Sequence, residues 1–139
     1  MTTIFLCIFL KILYNQFGDF MTLDMETISL VQLDLDNEKS EYELKAIKLT
    51  MEGNKEESNY FSQIVNIYNE VSHMLDLVFN NDYDKFINDF NRMYLEKRNE
   101  YLTKLNDLDN PTDGFLAGYK LMYLDEVYQS TIKKVKQNA

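Results

Sequence analysis

Three sets of apolar residues between Tyr60 and Val135, each stepping by threes and fours, constrain this chain more than any other feature. The first holds Phe61, Ile64, Tyr68, Val71, Leu75 and Val78, at steps of 3, 4, 3, 4 and 3, which lay six side chains along one stripe of an α-helix. The second holds Tyr83, Ile87, Phe90, Tyr94, Tyr101 and Leu105, and the aliphatic stem of Lys97 fills its long gap. The third holds Ala117, Leu121, Leu124, Tyr128, Ile132 and Val135. Amphipathic helices of this kind bury their stripes against one another. The fold expected is therefore mainly α, a three-helix antiparallel bundle over about residues 58–80, 82–107 and 111–136.

The punctuation between the stripes agrees. Asn80, Asn81 and Asp82 bond their own backbone readily, so they can end one helix and cap the next. Asn110 before Pro111 places a capping side chain ahead of a residue with helical φ already set. Lys133, Lys134 and Lys136 stand where the last helix's dipole is negative. Gly114 and Gly118, one turn apart, predict a close helix crossing, and the flanking Asp113, Lys120 and Asp125 exclude a membrane span there.

Upstream the period changes. Val31, Leu33 and Leu35 alternate with Gln32, Asp34 and Asp36, and Tyr42, Leu44 and Ala46 alternate with Glu43 and Lys45. Period two predicts a β-hairpin over about 27–35 and 41–50, with a polar loop at 36–40, packed by its apolar face on the helices. Its other face would display Asp34, Asp36, Glu41 and Glu43. A helix competes, because Glu, Lys, Leu and Ala are good helix formers and Leu44, Ile47 and Met51 would share one helix face.

Residues 1–20 open with an apolar run from Thr3 to Leu10 that resembles the hydrophobic part of a signal peptide. No basic segment precedes it, Lys11 interrupts it, no small-residue cleavage site follows, and it is too short to cross a bilayer. It is read either as a short core helix over about 4–14, ended by Gly18, or as leader ahead of a start at Met21. With no linker or internal repeat, residues 1–139 read as a single domain, large enough to bury about 68 % of its unfolded surface.

Charge bounds the function. A formal net charge of -9 argues against binding nucleic-acid phosphates directly, which needs clustered Lys and Arg. The excess is concentrated: ten acids and four lysines lie between Asp24 and Asn59, a local balance of -6, so a basic partner is expected there. One cysteine, Cys7, cannot form an internal disulfide, and a reducing, cytoplasmic setting is the default. Twelve lysines against two arginines, and fourteen asparagines, reflect an AT-rich genome such as those of low-GC Gram-positive bacteria, their phages and plasmids, and some large DNA viruses.

The sequence carries no catalytic signature. His73 is the only histidine, so neither a His-based triad nor a multi-histidine metal site can form within one chain, and it reads as a boundary residue. Asp34-Leu35-Asp36 and Asp107-Leu108-Asp109 each resemble the opening of a calcium loop but have no glycine at the sixth position or glutamate at the twelfth. They read as solvated loops. Four glycines offer no phosphate cradle. No catalytic residue, cofactor or metal is expected.

What remains is surface. Tyr60, Phe86, Tyr119 and Tyr123 fall at the edges of their stripes, where partner-binding aromatics are found. With Asp34, Asp36, Glu41 and Glu43 they form the expected partner-binding set. The reading is a small acidic non-enzymatic module that docks on a protein with a basic or apolar surface, in character a phage or mobile-element inhibitor or assembly chaperone. The alternatives are an acidic mimic of nucleic acid that blocks a DNA-binding protein, and a structural subunit of a virion or larger complex held by self-association through the helices.

Overall fold

A computed structural model describes residues 22–107, 109 and 111–139. It contains four helices: α1 (Met25–Met51), α2 (Lys55–Val78), α3 (Tyr83–Leu105) and α4 (Pro111–Asn138). The expected short helix at 4–14, the alternative start at Met21 and the Asn110 cap lie outside the described residues.

The segment expected to be a β-hairpin is one 27-residue helix, and the described residues contain no sheet. The bundle accordingly has four helices, not three. Several local choices favour the helix. Asp24 caps it by accepting from the Thr27 amide at 2.8 Å, a bond that holds the Asp24 carboxyl below its usual range. Ile28, Val31, Leu35, Tyr42 and Ala46, at steps of 3, 4, 7 and 4, supply one inward stripe. The presumed loop sits mid-helix, where Lys39 bridges Asp36 at 3.5 Å and Glu43 at 3.7 Å, the i,i+3 and i,i+4 spacings of helical ion pairs.

The α1–α2 turn is closed by Gly53, whose φ of 83° lies in the left-handed region. Gly53 N–H donates to Thr50 at 3.1 Å and Asn54 N–H to Leu49 at 2.8 Å, the paired bonds of a Schellman motif. Asn54 then caps α2, accepting from the Glu57 amide at 3.2 Å. Buried Ser58 ties the two helices by donating to the Ala46 carbonyl at 2.7 Å.

Asn80 and Asp82 act as the sequence predicts, Asn80 accepting from the Asp82 amide at 2.8 Å and Asp82 capping α3 through the Lys85 amide at 3.3 Å. Leu23, fully buried, pins the chain before α1 to this turn through a 2.9 Å bond from its N–H to Asn81. At the other end α3 and α4 approach closely: a Cβ on Gly114 would lie 3.4 Å from the Leu105 carbonyl oxygen, and one on Gly118 would lie 3.2 Å from Leu105 Cδ1.

Helices joined by such short turns run antiparallel, so α1 pairs with α2 and α3 with α4. α2 and α4 pack across the middle, and α1 meets α4 where Thr27 Oγ1 donates to the Asn138 carbonyl at 3.2 Å. α1 and α3 are diagonal. The centre is built on Phe86 and Phe90, both fully buried with ring centroids 5.7 Å apart, and on Tyr94 stacked on Tyr128 at 3.8 Å. Tyrosine hydroxyls at the core's edge donate to acids on the next helix: Tyr68 to Glu38 at 3.2 Å, Tyr101 to Glu70 at 2.6 Å, and Tyr94 to Asp125. Each ring is thus buried while its hydroxyl keeps a partner.

Candidate functional site

α1 is a helix with two apolar faces. Its inward stripe is core. On the opposite side Leu30, Leu33, Asn37, Ser40, Leu44, Ile47 and Met51 follow one another at steps of 3, 4, 3, 4, 3 and 4, and all seven are exposed. Leu33 is 55 %, Leu44 68 % and Met51 83 % exposed. Alternating steps of three and four are the a and d positions of a heptad, and Leu30 to Met51 spans three heptads, about 30 Å of helix.

The acids expected to meet a partner border this seam. In the same register Asp34 and Glu41 take the e positions and Asp36 and Glu43 the g positions, one pair along each side. A hairpin would have set all four on one surface, whereas the helix sets them as two acidic rails with leucine between. On the α2 side Lys39 partly compensates Asp36 and Glu43. Asp34 and Glu41 form no ion pair among the described residues. Beyond Glu43, an open groove of about 350 Å³ lined by Ala46, Ile47, Ser62, Val65 and Asn66 continues the seam towards α2.

Covering a half-exposed leucine contributes on the order of 1 kcal/mol, while one exposed ion pair contributes about 0.2–1 kcal/mol. The leucines would therefore supply affinity, and the acids would select what may approach. Leu30, Leu33, Leu44, Ile47 and Met51 are all absent from the set expected from sequence. The sign of them was the shared face of Leu44, Ile47 and Met51.

The aromatic part of the expected set divides. Tyr60, Tyr119 and Tyr123 come together at half-buried positions between α2 and α4, with centroids 5.6 Å apart for Tyr60 and Tyr119 and 5.0 Å for Tyr119 and Tyr123. Burial first, then a hydrogen bond with Tyr123, pushes Tyr119 ionisation up to about 12. Phe115, 61 % exposed, ends the row 5.9 Å from Tyr60. Phe86 does not belong to this set: it is a fully buried core residue, because the α3 stripe is centred on Phe86 and Phe90 and leaves Ile87 half-buried at the side.

His73 is exposed on α2 and borders a shallow cleft of about 190 Å³ with Glu70, Met74, Met93, Glu96 and Lys97. The cleft has no hydroxyl or thiol for the imidazole to activate, and is smaller than ordinary ligand pockets of about 300–1,000 Å³. Among the described residues no three His, Cys, Asp or Glu side chains are grouped to hold a metal, and no helix is long and apolar enough to cross a membrane. Asp34-Leu35-Asp36, read as a loop, lies inside α1, where it cannot wrap an ion, and Asp107 accepts from the Asp109 amide at 3.1 Å in a local turn. Compared with protein-family models, curated proteins and solved structures, the chain matches none.

Proposed function

We propose that this protein is a small, acidic, non-enzymatic module that acts by docking on another protein through the outward face of α1. One observation carries the reading. A helix already buried along one side presents five large apolar side chains at heptad spacing along the other, with an acidic rail on each flank. Exposed apolar surface of that extent, ordered along a single helix and rimmed by charge, is what a partner covers. The AT-rich composition is compatible with a phage or mobile-element accessory protein, which on this proposal would work as an inhibitor or assembly chaperone. A nucleic-acid mimic is less well supported, since a row of phosphates has no counterpart to Leu33 and Leu44 between the carboxylates.

Affinity purification from the native host, with wild-type protein and with Leu33→Asp/Leu44→Asp, tests the reading. A partner held by the wild type and lost by the folded variant supports docking on α1. Retention of the partner by the variant, or an enzymatic activity of the purified protein alone, overturns it.

A further inference from the structure

We infer that the occupant of the α1 face is a single amphipathic helix of a partner protein, its own heptad seam bordered by lysine or arginine, laid lengthwise along Leu30 to Met51. The inference rests on the docking reading and specifies the partner's chemistry.

Spacing gives the shape. Seven successive positions at steps of three and four follow the 3.5-residue period that keeps two helices in register over several turns, whereas a loop or sheet partner would need no such period. Asn37 and Ser40 sit in the middle of the seam, where a polar layer sets register at some cost in affinity, so the partner carries a polar residue opposite them.

Charge gives the sign. Asp34, Asp36, Glu41 and Glu43 flank the seam; Lys48 is the one cation at a flanking position, near its end, and Lys39 behind the rail pairs in part with Asp36 and Glu43. A second copy is a poor occupant. In an antiparallel pair Asp36 would face Glu43 and Asp34 would face Glu41 of the other copy; in a parallel pair Asp36 would face Glu41, offset by Glu43 against Lys48, and each copy brings a net charge of -9. A helix with cations at its flanking positions meets all four acids with opposite charge.

The test uses the full chain and two labelled four-heptad peptides with Leu and Ile at a and d and one central Asn. One has Lys at e and g, the other Glu. Fluorescence anisotropy at low and moderate ionic strength should show the Lys peptide bound at least tenfold more tightly than the Glu peptide, with a gap that narrows as salt is raised. Replacing the acids together, Asp34→Asn, Asp36→Asn, Glu41→Gln and Glu43→Gln, should weaken the Lys peptide about tenfold, the sum of four exposed pairs of ordinary strength. Wild-type discrimination between the peptides does not depend on how any variant folds.

Equal binding of the two peptides overturns the inference. So does a dimer by light scattering that Leu33→Asp dissolves, since the occupant is then a second copy. If the Lys peptide fails to bind while Leu33→Asp/Leu44→Asp still releases the native partner, the helical occupant falls and docking on α1 stands. If that variant keeps its native partner, docking on α1 falls as well.

Discussion

The Tyr101 hydroxyl donates to the Glu70 carboxylate at 2.6 Å across the α2–α3 interface. Burial, followed by this bond and the charge of Glu70, pushes Tyr101 ionisation well above the ordinary tyrosine range. Tyr68 is raised by burial and by Glu38, and Tyr94 is pushed up to about 12 by burial and by Asp125. The folded chain thus holds these phenolic protons more tightly than the unfolded chain, whose tyrosines ionise near about 10. Stability from this source is complete below about pH 10 and is lost as pH rises towards the raised values. Urea midpoints should be level from about pH 7 to 9.5 and fall steeply above about 10. Tyr101→Phe should cost about 1 kcal/mol at neutral pH and make that fall shallower.

Gly53 is the one described residue with positive φ, and the turn it makes ends α1 and starts α2. A Cβ there meets nothing within 4 Å, so substitution acts on backbone conformation and not on space. Gly53→Ala should destabilise by about 1 kcal/mol and Gly53→Asn by less, since asparagine tolerates the left-handed region better. Thermal or urea unfolding of the two variants gives the order.

Sequence alone groups Phe86 with Tyr60 as partner contacts, but their burial in the fold makes them behave oppositely. Truncating fully buried Phe86 to alanine should cost about 3–5 kcal/mol and leave little folded protein. Half-buried Tyr60, whose hydroxyl lies 3.4 Å from Glu56, should cost about 1 kcal/mol as Tyr60→Ala. Chemical denaturation of each variant measures the difference.

What was legible follows from how many faces each helix buries. α2, α3 and α4 carry one dominant apolar stripe, so a step of three or four recovers them, with errors confined to the stripe's centre, as at Phe86 and Ile87. α1 carries two. An inward set, Ile28, Val31 and Leu35, interleaves with an outward set, Leu30 and Leu33, and opposed helical stripes read in sequence as Val31, Leu33, Leu35 in alternation. That alternation is also the mark of a strand. The property that concealed α1 is thus its functional candidate, a second apolar face that no part of the described fold covers. The acids were legible as a set, but their division into two rails depends on the helix.

Those two faces give the sharpest stability test, because a strand and a helix assign Leu33 differently. With side chains at period two, Val31, Leu33 and Leu35 would point into the core together, and truncating any of them would cost alike. In α1, Leu35 is 1 % exposed and Leu33 is 55 % exposed. Leu35→Ala should therefore destabilise by about 2–5 kcal/mol, while Leu33→Ala and Leu44→Ala should each stay within about 0.5 kcal/mol of wild type. Urea unfolding of the three variants, followed by helical circular dichroism, reads out the contrast. A Leu33→Ala cost matching that of Leu35→Ala would return Leu33 to the core and remove the exposed seam on which docking depends.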